Sequence, residues 1–282
     1  MLWWRDATAR PGVRRRGNRE GARRDSGIGG VAIVSTVAAR VADRGWLPKT
    51  AALARKDLRI ELRARDTLPP MLAFTFAVTL LLAFTLPTSG RLEAPTSVPG
   101  VGLAPLNDVL AGFFWVTVLF AGLIGFARTF EVDQQEGALD VLLLVPLDRT
   151  GLFFAKSAAN FISILVVEAV LLPAFALLFG VELISSLAPM VVVVLLVNVG
   201  FVAIGTLFSA LAAGTRSREL ILPILALPAL VPVFIAGVEL SSDLFLGGGF
   251  GAVTERGWFG ILLAFDVIMT TAGALSFEFA ID

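Results

Sequence analysis

Apolar residues gather in six long stretches, at about 68–86, 109–127, 157–179, 188–213, 220–238 and 258–277. An α-helix rising 1.5 Å per residue crosses roughly 30 Å of hydrocarbon in about 20 residues, and every stretch is close to that length or longer. The first, second and fifth hold no charged residue. Inside a bilayer the backbone must satisfy its own hydrogen bonds, so the stretches are predicted as helices and not strands. The expected fold class is an all-α membrane protein, with six transmembrane helices in one domain over residues 51–282.

The polar segments between these stretches are uneven in character. Residues 131–156, EVDQQEGALDVLLLVPLDRTGLFFAK, carry an acidic turn (Asp133, Glu136, Gly137), a short apolar run over 139–145, and then Pro146. A turn follows in which Asp148 or Thr150 caps the next helix. A loop that only joins two spans needs no compact amphipathic unit with its own start and stop signals. The segment is therefore expected to hold a short helix that docks onto another protein. Ahead of the first span, LARKDLRIELRAR at 53–65 sets Leu58, Leu62 and Ala64 against Arg55, Arg59 and Arg63. That pattern predicts an amphipathic helix on the membrane surface, or else the charged flank of the first span. Pro69 and Pro70 fit its first turn, where a missing N–H costs little. The connection 87–108 reads as a linker, and the run GGGFG within 239–257 reads as flexible rather than phosphate-binding, since a cradle needs a following helix and usually a lysine.

Composition and charge add compartment and exclude chemistry. Apolar residues make up 56% of the 282-residue chain, above the 45–50% usual for soluble domains. Of the 23 Lys and Arg, 16 precede Leu68, so residues 1–50 form a basic tail, expected to be disordered or to begin at a start assigned too far upstream, or to attract anionic lipid headgroups. No apolar core follows the early arginines, so a cleaved signal peptide is not expected, nor is a nucleic-acid partner. With the amino end inside, Arg128, Arg149, Lys156, Arg216 and Arg218 fall on the cytoplasmic side, against Arg91 and Arg256 outside. The positive-inside rule then places both termini, and segment 131–156, in the cytoplasm. His, Cys and Tyr are absent. That removes thiol and imidazole catalysis, disulfides and Cys/His zinc sites, and leaves Met as the one familiar axial haem ligand. No metal site and no cofactor bound by this chain are expected.

Four features inside the spans call for explanation. Glu168 and Asp266 sit near the middle of the third and sixth spans, where a carboxylate is costly. Either they line a substrate pathway or proton relay, or each is hydrogen-bonded to a neighbouring helix. Gly205, Ser209 and Ala213 recur every four residues, a small-residue face suited to close helix packing. Pro223, Pro228 and Pro232 each remove a backbone hydrogen bond, so the fifth helix is expected to be bent or locally unwound, as a hinge or by packing.

The three lysines, Lys49, Lys56 and Lys156, follow no GxxxxG, so nucleotide hydrolysis is expected on another polypeptide. The pattern Arg128-x-Phe130-x-x-Asp133, Gly137-x-Leu139, Leu142, Pro146-Leu147 and Ala155-Lys156, with Leu227-Pro228-x-x-x-Pro232, resembles the haem exporter protein B family. These are permease subunits of the cytochrome c maturation ABC transporter, within the type-2 exporter class. The resemblance covers roughly 50–282 and leaves out the tail. It implies a permease, paired as a homodimer with an ABC ATPase subunit that binds ATP. It also implies a haem-handling membrane subunit and a haem chaperone as partners, with haem as a handled ligand. Carried onto this chain, Glu136, Gly137, Leu139, Leu142 and Pro146 form the ATPase-coupling element. Gly137 allows a tight turn, Leu139 and Leu142 share one face and enter a groove on the ATPase, and Asp133 and Glu136 meet basic groups at its rim. Two other readings fit the residues: a generic type-2 permease for lipid, drug or polysaccharide, and a non-transporting scaffold relaying ATPase motion. A secondary transporter should show an inverted repeat of broken helices, which is not found here. The lone carboxylates define no reaction, so an enzyme is not expected.

Overall fold

The computed structural model describes residues 50–56, 67–86, 106–130, 149–213, 218–255 and 257–280, all within the compact unit Trp46–Asp282. Among them six helices are long and apolar enough to cross a membrane, and none of the described residues forms a strand. We number the spanning helices α1 (Leu68–Thr85), α2 (Leu106–Arg128), α3 (Arg149–Phe179), α4 (Leu183–Ala213), α5 (Arg218–Ser241) and α6 (Trp258–Ala280). The chain is an all-α, multi-pass membrane protein. The basic tail over 1–49 lies outside the described residues, as does 57–66, most of the expected surface helix. Residues 50–56 are helical.

Local sequence sets the helix ends. Pro69 and Pro70 stand in the first turn of α1, where their missing N–H groups have no intrahelical partner to lose. Between α3 and α4 only three residues intervene, and Gly180 takes the left-handed conformation (φ 71°) while its N–H bonds the Ala176 carbonyl at 3.1 Å. Glycine is the residue that reaches this conformation without steric cost, so it can close the helix and reverse the chain.

Two expected boundaries are corrected. α3 begins at Arg149 and not near 157, so Thr150 lies within the helix and not before it. The early start has a packing reason: Leu152, Phe153 and Ala155 are buried against Leu53, Phe130, Phe277, Ala203 and Ala210 in a cluster of their own. The segment after α5 is folded rather than flexible. A 3₁₀ turn (Asp243–Leu246) and a short helix (Phe250–Thr254) bury Leu244, Phe245 and Val253. The Phe245 carbonyl accepts from the Glu182 N–H at 3.2 Å, and Gly247 (φ 85°) turns the chain.

α4 is the central helix, packed against α6, α5, α3 and α2, while α1 leans on α2 and α3. Lipid tails are as apolar as leucine, so close packing rather than water exclusion holds such a bundle together. Here aromatic rings supply much of it. Phe245, Phe114, Trp115, Phe234, Phe201 and Phe126 meet edge to face in sequence, at centroid distances of 4.9–6.0 Å. Each such pair adds about 0.5–1.5 kcal/mol beyond its contact area. Glycines make room for the rings: Phe201 lies where a side chain at Gly122 would project, and Phe126 where one at Gly205 would. The column runs through the described interior of one copy.

Described charged side chains lie at both ends of the bundle. Where α2 stops and α3 starts, the described charged side chains are Arg55, Lys56, Arg128, Arg149 and Lys156. At the opposite end they are Asp108, Glu182, Glu239, Asp243 and Glu255.

Candidate functional site

The expected coupling residues Asp133, Glu136, Gly137, Leu139, Leu142 and Pro146 lie outside the described residues. The structure does place both flanks of their segment. On one side α2 runs to Arg128 and a turn follows at Thr129 and Phe130; on the other α3 begins at Arg149. Side chains brace these flanks together. Thr129 Oγ1 donates to Asn160 Oδ1 at 3.0 Å, and the Lys156 ammonium lies 5.7 Å from the centre of the Phe130 ring. Lys156 is buried rather than a loop residue, its stem carried on α3 among apolar neighbours.

From these flanks a polar seam continues between α3 and α4. Asn160 Nδ2 donates to Thr206 Oγ1 at 3.1 Å, and Thr206 is fully buried. Eight residues further along both antiparallel helices, Asn198 Nδ2 donates to Glu168 Oε2 at 2.5 Å. Eight residues is about 12 Å of helix, so one register of α3 against α4 satisfies both rungs. Ile164 and Val202, both buried, lie in the stretch between them. α2 joins the same unit, because Ser209 Oγ donates to the Phe126 carbonyl at 2.6 Å. An interhelical hydrogen bond in a membrane contributes about 0.6 kcal/mol on average and up to about 1.7. The seam's value lies in fixing register more than in total energy.

The two intramembrane carboxyls are not brought together. Glu168 meets α4 at Asn198, whereas Asp266 Oδ1 lies against Gly200, where a Cβ would collide with it. Residues 198 and 200 are about 200° apart around a helix, so the carboxyls approach α4 from nearly opposite sides. Glu168 Oε1, Asn198 Oδ1 and Asp266 Oδ1 have no hydrogen-bond partner among the described residues. No group of three His, Cys, Asp or Glu suited to a metal ion occurs among them either.

The small residues of α4 face neighbours. Gly205 receives Phe126, Ser209 bonds the α2 backbone, and Ala213 packs on the cluster around Phe153. α5 stays helical through Pro223, Pro228 and Pro232, so the local unwinding expected there does not occur. Pro228 and Pro232 are exposed and Pro223 half-buried, which puts two of the three on the outer face of the bundle. Beside them a lateral crevice of about 410 Å³ opens between α2 and α5, lined by Gly112, Trp115, Leu119, Leu230, Phe234 and Val238 among others, with Glu239 at one end.

The sequence reading passed over Asn160, Thr206, Asn198 and the pair Trp115–Ser241, in which the indole N–H donates at 2.9 Å. A signal existed. An amide inside hydrocarbon is costly unless paired, and Asn160 stands eight residues before Glu168 on the same helix.

Comparison with known proteins gives one consistent result. The family model described as CcmB protein matches residues 49–282. Heme exporter protein B of Rhodobacter capsulatus is 31% identical over 193 residues, covering 67% of this chain and 80% of the relative. The protein of that name from Paracoccus denitrificans is 30% identical over 189 residues, with the same coverage. The one from Bradyrhizobium diazoefficiens is 28% identical over 229 residues, covering 79% of this chain and 92% of the relative.

Proposed function

The chain belongs to the CcmB protein family, and on that premise we propose that it is the permease subunit of an ABC transporter for cytochrome c maturation. It couples ATP hydrolysis on a partner subunit to haem export or to the release of a haem-loaded chaperone. Two copies pair with two ATPase subunits, and a haem-handling membrane subunit completes the assembly. The complex sits in a prokaryotic cytoplasmic membrane with both termini in the cytoplasm. The distribution of Lys and Arg supports this orientation, with Arg128, Arg149, Lys156, Arg216 and Arg218 on the cytoplasmic side against Arg91 and Arg256, because lysine and arginine favour the cytoplasmic face.

One observation carries the mechanical part. The segment between α2 and α3 has both flanks braced to each other and to α4, by Thr129, Asn160 and Thr206 and by Ser209 on the Phe126 carbonyl. A partner that moves Leu139 and Leu142 would thus move the bundle and not just a loop. Asp133 and Glu136 face basic groups on that partner, Gly137 and Pro146 bound the docking helix, and haem is cargo. The crevice between α2 and α5 is a further place where an apolar ligand rests. The aromatic column through the described interior of one copy favours a second limb of the reading, a subunit that relays ATPase motion to partners without conducting haem.

Leu139→Arg tests the docking. A charge in place of the groove-filling leucine is expected to abolish copurification of the ATPase while the chain still inserts into membranes. Undiminished copurification would defeat the docking role. Haem flux into reconstituted vesicles separates the two limbs: a relay shows none.

A further inference from the structure

We propose that Asn160 is the positioning residue of a joint that runs from Thr129, in the turn after α2, to Asn160 on α3 and Thr206 on α4, through which displacement of segment 131–148 enters the bundle. This rests on the reading of that segment as the ATPase-docking element. Asn160 is buried, and both ends of its amide are used across helices. Its oxygen accepts from Thr129 at 3.0 Å and its nitrogen donates to Thr206 at 3.1 Å. Thr129 stands two residues before the segment, and Asn160 follows in the fourth turn of the helix that leaves it. A push that separated the two flanks would first have to break the Thr129–Asn160 bond and lift Lys156 from Phe130. The flanks therefore move as one body.

Beyond Asn160 the displacement meets α4. Apolar side chains slide past one another with little change in energy, whereas a hydrogen bond in hydrocarbon holds one register because the alternative is an unpaired polar group. Thr206 supplies that point of grip, and Ser209, three residues on, ties α4 back to α2. The second rung at Glu168 and Asn198 holds the same register about 12 Å away, so α4 follows α3 without shear. α4 in turn packs against α5 and α6, so its displacement reaches the rest of the bundle.

The joint is tested in the full complex with its ATPase, by isosteric removal of one hydroxyl. Thr206→Val keeps shape and loses the bond; Thr206→Ser keeps the bond. Four quantities are read: ATPase copurified per permease, the thermal midpoint, kcat and KM for ATP, and the cellular yield of haem-loaded c-type cytochrome. Thr206→Val is expected to retain the ATPase and KM and to lower the midpoint, since it leaves the buried Asn160 amide nitrogen unpaired, and to lower the cytochrome yield by about 5-fold or more, the lower end of ordinary coupling. Thr206→Ser is expected to restore it. Thr129→Val, at a half-buried site that burdens folding less, should give the same loss. The double variant should lose no more than either single one, since both break one unit. Full cytochrome yield in Thr206→Val or Thr129→Val overturns the joint. Failure of the wild-type chain to hold any ATPase overturns instead the docking reading on which the joint rests.

Discussion

At the scale of single residues the buried Glu168 carboxyl is costly, and among the described residues it accepts from one amide, that of Asn198. Replacing Asn198 by leucine leaves the carboxyl buried with no donor, at a cost of about 1–3 kcal/mol. A lowered unfolding midpoint of the purified chain should register it. Glu168→Gln keeps an oxygen for Asn198 and gives up only the capacity for charge, so folding should change by less than about 1 kcal/mol and cytochrome maturation should persist. A folded Glu168→Gln protein without maturation activity would instead place the carboxylate itself in a transport pathway. Glu168 was conspicuous in the sequence because a charge interrupts an apolar run. Asn198 and Asn160 were not, because one amide barely disturbs such a run and only its partner across the helix interface shows what it does.

At the scale of elements, glycine and proline act differently from what their usual roles suggest. Gly205 is the seat of the Phe126 ring, so Gly205→Val forces an overpacked contact and should cost about 1–3 kcal/mol, read again as a fall in midpoint. Pro228 is exposed on a helix that remains continuous, so Pro228→Ala should shift stability by less than about 1 kcal/mol. An equal loss from both would mean that α5 relies on its prolines as α4 relies on its glycine. The six spans were legible because 20 apolar residues in a row have few other solutions. Their ends were less so. The first two turns of α3 are helical because Leu152 and Phe153 find partners on the segment 50–56 and on α6, a long-range fact that local sequence does not carry. The glycine run after α5 concealed Leu244, Phe245 and Val253, whose burial turns an expected linker into a folded cap. The coupling residues were named from the acidic turn, the leucines and a resemblance, and the structure adds what lies on either side of them.

For the whole molecule, two features point the same way: an aromatic column through the described interior, and a braced pair of flanks where α2 stops and α3 starts. On the proposed reading such a bundle transmits displacement as a body, and the sequence carries no GxxxxGK segment of its own. The central claim is that the energy arrives from an ATPase seated on segment 131–148. Affinity purification of the full chain from native membranes, with identification of the proteins recovered, tests it most directly. The predicted result is an ATP-hydrolysing subunit in equal amount, accompanied by a haem-handling membrane protein. Recovery of the intact chain with no ATPase would contradict it.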